Sequence, residues 1–132
     1  MSEFGGQRYI SHRKVGTATS GYIKIPTLGT GVFEILSMSL HPSGTQHFAM
    51  PAALQFNWTD GVDDCYRFLK YGYIGSSNGL EVKNEIVVGP GTIQAWIEDP
   101  TTYGPYTVLD VTYRRIATLD RAVVATGGFR WW

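Results

Sequence analysis

Acidic, histidine and thiol side chains are the groups here that could do chemistry, and their spacing limits what that chemistry is. Asp60, Asp63 and Asp64 cluster about Gly61, and calcium favours dense oxygen ligands on a turn. Their spacing does not match an EF-hand loop, so a solvated hairpin tip is expected and no metal is assigned. His41 and His47 fit no zinc spacing, although with His12 they could converge from different strand ends, for example on a trimer axis. Cys65 is the single cysteine, which excludes an internal disulfide. A reactive thiol needs an activating base, and nothing marks one, so Cys65 reads as a buried thiol. Glu81, Glu85, Glu98 and Asp99 could form a glycosidase pair only at the right separation in space. There is no Gly-x-Ser-x-Gly elbow. The glycines from Gly75 to Gly79, Gly89 to Gly91 and Gly127-Gly128 match neither a Walker loop nor a dinucleotide fingerprint. No catalytic residue and no cofactor is assigned, and the expectation is a protein that is not an enzyme.

Aromatic side chains near turns are the more informative signal. Trp58 lies beside the Asp60-Gly61 turn, Tyr71 and Tyr73 precede Ser76 to Gly79, and Trp96, Tyr103 and Tyr106 surround Pro100 to Pro105. Aromatic rings stack on the apolar faces of sugars while Asp, Asn and Thr take the hydroxyls. The expected ligand-binding set is therefore Tyr103, Asp99, Trp96, Trp58, Asp60 and Asn78, with Tyr103 exposed on a loop tip. The competing reading puts Trp58 and Trp96 in the core or a subunit interface. Two exposed tryptophans would be a liability at a surface, so Trp131 and Trp132 either pack back on the sheet or bury in a partner subunit, and they are assigned to an oligomer interface.

The elements that must position these residues are strands. Thr92 to Arg115 reads as a hairpin, two β-rich arms about the Pro-, Gly- and Thr-dense loop from Asp99 to Pro105. Ile93, Ala95 and Ile97 alternate with Gln94, Trp96 and Glu98 in the first arm. Upstream, strands are expected at Arg8–Val15, Tyr22–Leu28 (pushed to an edge or end by Pro26), Val32–Leu40, Ala53–Trp58, Asp64–Ile74 and Leu80–Val88. Asp-Gly at Asp60-Gly61 supplies a hairpin turn. Asp64–Ile74 is apolar on both faces, which suggests a central strand. Gly89-Pro-Gly91 reads as a break, Ile116 to Asp120 as a turn and Arg121–Trp132 as a last strand. No stretch keeps a helical period. About nine short strands predict an all-β fold: an antiparallel β-sandwich, jelly-roll-like.

The chain of 132 residues suits one domain, taken as 8–132. Residues 1–7 read as a cloning scar or disordered arm, because Glu3-Phe4 matches a common cloning site. A formal net charge of zero leaves no electrostatic footprint for nucleic acid or an anionic membrane. No apolar run reaches the ~20 residues of a spanning helix, and no signal peptide opens the chain. Membrane insertion is not expected.

Gly21-Tyr-Ile-Lys-Ile-Pro-Thr-Leu28, the Val32–Leu40 strand and the closing pair Ile93–Glu98 and Tyr106–Val111 together resemble the C-terminal receptor-binding domains of tailed-bacteriophage tail fibres. The resemblance runs from about Tyr22 to Tyr113. Pro26 stands where that family usually has Ala, and about twenty residues follow the closing pair. The resemblance implies a homotrimeric, jelly-roll-like knob on a virion tail or extracellular particle. Its partner would be a bacterial cell-surface glycan or protein, bound without catalysis. The alternatives are a viral capsid, baseplate or tail protein with aromatic subunit interfaces, and a free-standing lectin or carbohydrate-binding module.

Overall fold

A computed structural model describes residues 8–43, 49–75 and 78–118. Seven strands are present among them: β1 (Ile10–Val15), β2 (Tyr22–Lys24), β3 (Leu28–Pro42), β4 (Ala49–Thr59), β5 (Asp64–Gly75), β6 (Leu80–Ile97) and β7 (Thr107–Ala117). A helical turn α1 (Pro100–Tyr103) and a 3-10 turn (Gly104–Tyr106) link β6 to β7. All pairings are antiparallel. The fold is an all-β sandwich, as the alternating patterns predict. The expected strand at Arg121–Trp132 lies outside the described residues.

The sandwich is organised around β6. Its first part, Leu80 to Gly91, pairs with β3 in a sheet ordered β1-β7-β3-β6. Its second part, Thr92 to Ile97, pairs with β4, while β2 covers its other side at Gln94 to Trp96, giving a second sheet ordered β2-β6-β4-β5. One strand thus serves both sheets. The expected break at Gly89-Pro90-Gly91 is instead the passage between them, where small side chains let neighbouring strands approach closely. A Cβ on Gly89 would collide with the Gly29 carbonyl oxygen, and one on Gly91 with the Phe56 ring and, at 2.7 Å, with the Asn57 oxygen.

Other expectations also need correction. Thr92–Arg115 is not a hairpin: β3 lies between the first half of β6 and β7, so the segment after Ile97 carries the chain from the second sheet across to the first. Its Pro- and Thr-rich loop folds into α1, with Pro100 at its start and the Asp99 carboxylate accepting from Thr102 N at 3.1 Å. β7 runs on through Ile116 and Ala117, where a turn was expected. β5 is an edge strand rather than a central one. Its outer face is apolar yet open to solvent.

Side-chain alternation changes phase twice within the first sheet. Phe33 and Ile35 point inward on β3, and so do Met38 and Leu40, because Leu36 is extra relative to β7. On β6 the inward set changes from Leu80 and Val82 to Val87 and the odd positions after it. The change passes through Asn84, whose φ of 58° is left-handed. Asn tolerates that conformation better than most residues. The two sheets share one core, with Ile35, Met38, Leu40, Leu109 and Val111 against Leu54, Phe56, Ile93 and Ile97.

Candidate ligand-binding face

The outer face of the second sheet is where exposed aromatic and buried polar groups meet. On β4 the core takes Met50, Ala52, Leu54 and Phe56, so Ala53, Gln55 and Asn57 point outward. On β6 the outward residues are Gln94 and Trp96. On β5 simple alternation separates Tyr66 and Phe68 from Tyr71 and Tyr73. A bulge at Leu69, between the pairs Leu54–Lys70 and Gln55–Phe68, cancels that separation. All four rings therefore stand on the outer face, opposite Asn57, Gln55, Ala53 and Pro51 in turn.

Two cross-strand rows define the site. The first is Tyr22, Trp96, Ala53 and Tyr71. Ala53 is too small to separate its neighbours, and the Tyr71 and Trp96 rings lie 6.4 Å apart at an interplanar angle of 13°. The second row is Lys24, Gln94, Gln55 and Phe68. Here Gln94 Nε2 donates to Gln55 Oε1 at 2.9 Å, and Gln94 Oε1 has no partner. These amides form a floor; Phe68 and Tyr71 are each 60% exposed and Tyr73 65%. The Phe68 ring meets Tyr71 edge-on at 6.4 Å. Lys24 Nζ lies 5.7 Å from the centre of the Tyr22 ring, within cation–π range.

Tyr22 and Tyr66 stand at opposite corners of this face. By register, the line joining them crosses the Gln94–Gln55 pair. Desolvation first, then the neighbouring Tyr22 and Asp64, push the Tyr66 hydroxyl above its usual range.

The expected site residues do not converge. Trp96 belongs to the aromatic face. Trp58 points the other way, stacks on Phe56 at 6.0 Å and packs against the core. With Phe56, Arg67, Ile86, Val88 and Pro90 it lines a separate, mainly apolar cleft of about 390 Å³ at the mouth between the sheets. Asp60 closes the β4–β5 turn, its Oδ1 accepting from Asp63 N at 2.8 Å and Val62 N at 2.9 Å. Those backbone donors hold its carboxyl below the usual range. Asn78 makes a backbone bridge with Gly75. Asp99 caps α1. Tyr103, expected on an exposed tip, is partly buried against the core because α1 folds the loop back. By register, Asp60 and Trp58 lie at one end of the second sheet, and Asn78, Asp99 and Tyr103 towards the other. Trp131 and Trp132 lie outside the described residues.

Tyr22, Gln55, Tyr66, Phe68 and Gln94 were not anticipated in the site. Gln94 could have been noticed as a polar residue sharing the Trp96 face of its strand. Tyr66 and Phe68 could not, because the bulge that turns them outward leaves no local mark. The described residues contain no cluster of three or more metal-ligating side chains and no helix long and apolar enough to cross a membrane.

No family model and no curated protein sequence matches the chain. Among solved structures it is similar to the CBM22-1–GH10 modules of the Clostridium thermocellum endo-1,4-beta-D-xylanase 10B, complexed with xylohexaose. The identity is 13% and the TM-score 0.44, over 85% of this chain and 26% of that one. It is also similar to the C-terminal family 22 carbohydrate-binding module of Clostridium thermocellum Xyn10B, at 8% identity and a TM-score of 0.46, over 88% and 89% of the two chains. With both scores below one-half, ligand recognition has to be argued from this chain's own side chains.

Proposed function

We propose that this chain is a non-catalytic glycan-binding module whose ligand lies on the outer face of the second sheet. The observation that carries this reading is the set of open rings, Phe68, Tyr71 and Tyr73, beside a floor of neutral amides. Exposed apolar patches of this kind mark interaction sites, and a few fixed polar groups among aromatics are the usual make-up of a ligand site. Sugar rings offer apolar C–H faces to the rings and hydroxyls to the amides. Single-stranded nucleic acid would also stack on such a platform, but it needs a flanking basic track. Lys24 is the cation in the two rows, and the chain's formal net charge is zero.

The finer part of the proposal is the setting, a trimeric tail-fibre knob presenting this face to a bacterial surface. Several copies would convert weak sugar contacts into useful avidity. Light scattering coupled to size exclusion tests the setting, and a monomer would remove it while leaving the binding face intact.

The face itself is tested with Phe68→Ala in affinity gel electrophoresis against immobilised polysaccharides. Loss of an exposed stacking ring is expected to weaken binding by roughly ten-fold or more, and to change folding stability by under ~0.5 kcal/mol. Unchanged retardation of Phe68→Ala on a polymer that retards the parent chain would refute the site.

A further inference from the structure

Among the described residues, three arginines are paired with carboxylates: Arg13 with Asp110 at 2.8 Å, Arg67 with Glu85 at 2.8 Å and Arg114 with Glu34 at 2.9 Å. The other two, Arg8 and Arg115, meet no carboxylate among the described residues, and they share one pocket. That pocket lies where the chain enters β3, beside the end of β7. Its volume is about 340 Å³, and it shares no residue with the aromatic face. Both arginines are exposed, so it is reached from solvent. Arg115 is held in place there. The core-facing row of β7 runs through Leu109, Val111 and Tyr113 to Arg115, which pairs in register with Phe33. Its guanidinium carbon lies 5.3 Å from the centre of the Phe33 ring, within cation–π range. Gly31 leaves room for it, since a Cβ there would stand 3.0 Å from Arg115 Nε. A guanidinium fixed by stacking, with no carboxylate on its fork of donors, suits a bidentate oxyanion such as a planar carboxylate.

We propose that this pocket is a second binding site, which takes the carboxylate of a sugar acid in an acidic glycan, with Arg115 and Arg8 holding the anion. The remaining lining indicates what carries that carboxylate. Thr27 brings a hydroxyl fixed 3.2 Å from Thr92 Oγ1, Tyr113 brings a second, and Ile10 brings apolar surface that is 45% exposed. A bare inorganic anion would leave the apolar side unused, and a fatty acid would leave the hydroxyls unused. A sugar acid has a C–H face, hydroxyls and a carboxylate together. The volume lies at the small end of the roughly 300–1,000 Å³ usual for ligand pockets, which suits one sugar unit. Single-stranded nucleic acid would bring phosphates to the arginines, but its bases need open rings to stack on. Phe33 and Tyr113 are only 4% and 7% exposed. The site stands apart from the aromatic face, so its failure leaves the reading of that face untouched.

The test is affinity gel electrophoresis of the parent chain, Arg115→Gln, Arg8→Gln and Phe68→Ala, with a thermal melt of each variant. The probes are polygalacturonate and alginate, the esterified form of each, and single-stranded oligothymidylate. At least one of the two acidic polymers should retard the parent chain, and Phe68→Ala equally. Arg115→Gln should bind that polymer at least about ten-fold more weakly, the loss expected for one charge-assisted pair, while folding as the parent does. Arg8→Gln should weaken binding in the same direction, and it carries the test if Arg115→Gln fails to fold. Retardation of the parent chain by neither acidic polymer overturns the proposal, as does parent-like binding in the arginine variants. Loss of binding in Phe68→Ala alone would place the acidic polymer on the aromatic face and overturn this site. Equal retardation of Phe68→Ala by the esterified polymer would show that the carboxylate is not read. Stronger retardation by oligothymidylate than by either acidic polymer, lost in Arg115→Gln, would make this a phosphate site and overturn the sugar assignment.

Discussion

Adding one methyl group at Gly91 tests whether the crossing of β6 between sheets depends on close backbone approach. In Gly91→Ala the new Cβ would overlap the Phe56 ring and lie 2.7 Å from the Asn57 carbonyl oxygen. The ring can turn, but the carbonyl belongs to β4 and pairs in register with Thr92. Ordinary contact begins at 3.4 Å, so β4 and β6 must separate locally by about 0.7 Å in an interior that is already close-packed. Overpacking of this kind costs about 1–3 kcal/mol. A rigid backbone oxygen places Gly91→Ala towards the upper end, about 2–3 kcal/mol. At a urea m-value of about 1.5 kcal/mol/M, the unfolding midpoint should fall by roughly 1.3–2 M at unchanged slope. Gly29→Ala is the control, since its Cβ meets only Arg115 Nη2, at 3.8 Å. It should stay within ~0.5 kcal/mol of the parent. A Gly91→Ala midpoint within 0.3 M of the parent, or an equal loss in Gly29→Ala, would refute the argument.

Two further predictions concern the first sheet. Asn84 has a φ of 58°, so Asn84→Val should cost about 1–2 kcal/mol by urea unfolding while Asn84→Gly stays near neutral; equal losses would remove the backbone explanation. The Asp110 carboxyl is held below the usual range by hydrogen bonds from Arg13, at 2.8 and 3.1 Å, and then by His41 at 2.9 Å. Because the folded form binds its proton less readily than the unfolded chain, the stabilisation is complete above the unfolded value of about 3.9 and fades as pH falls through the lower folded value. Partial exposure limits it to about 1 kcal/mol or less. Urea midpoints of the parent should therefore fall more steeply between about pH 5 and 2 than those of Asp110→Asn; parallel profiles would show that this cluster contributes nothing.

Much of the architecture was written in local pattern. Alternation in Ile93–Ile97, with Gln94 and Trp96 on the second face, survives in the fold because β6 is regular there. Asp60-Gly61 turns the chain as its residue types demand, with Gly61 at a φ of 96°. Pro26 ends β2 early and lies outside every ladder. The aromatic content also pointed to stacking as the chemistry, though it placed the contacts on loops.

Tertiary structure decided which residues share a surface. Gly89-Pro90-Gly91 has the composition of a turn, yet neighbouring strands on both sides hold it extended and carry β6 from one sheet to the other. Tyr103 looked exposed because its loop is polar, but the helical turn capped by Asp99 rotates it onto the core. The aromatic face depends on one extra residue, Leu69: without that bulge Tyr66 and Phe68 would stand on the opposite side of β5 from Tyr71 and Tyr73. Local sequence determines whether a segment is extended and how its side chains alternate. Phase and partners are determined by pairing energies between segments far apart in the chain, and those set which side chains share a face.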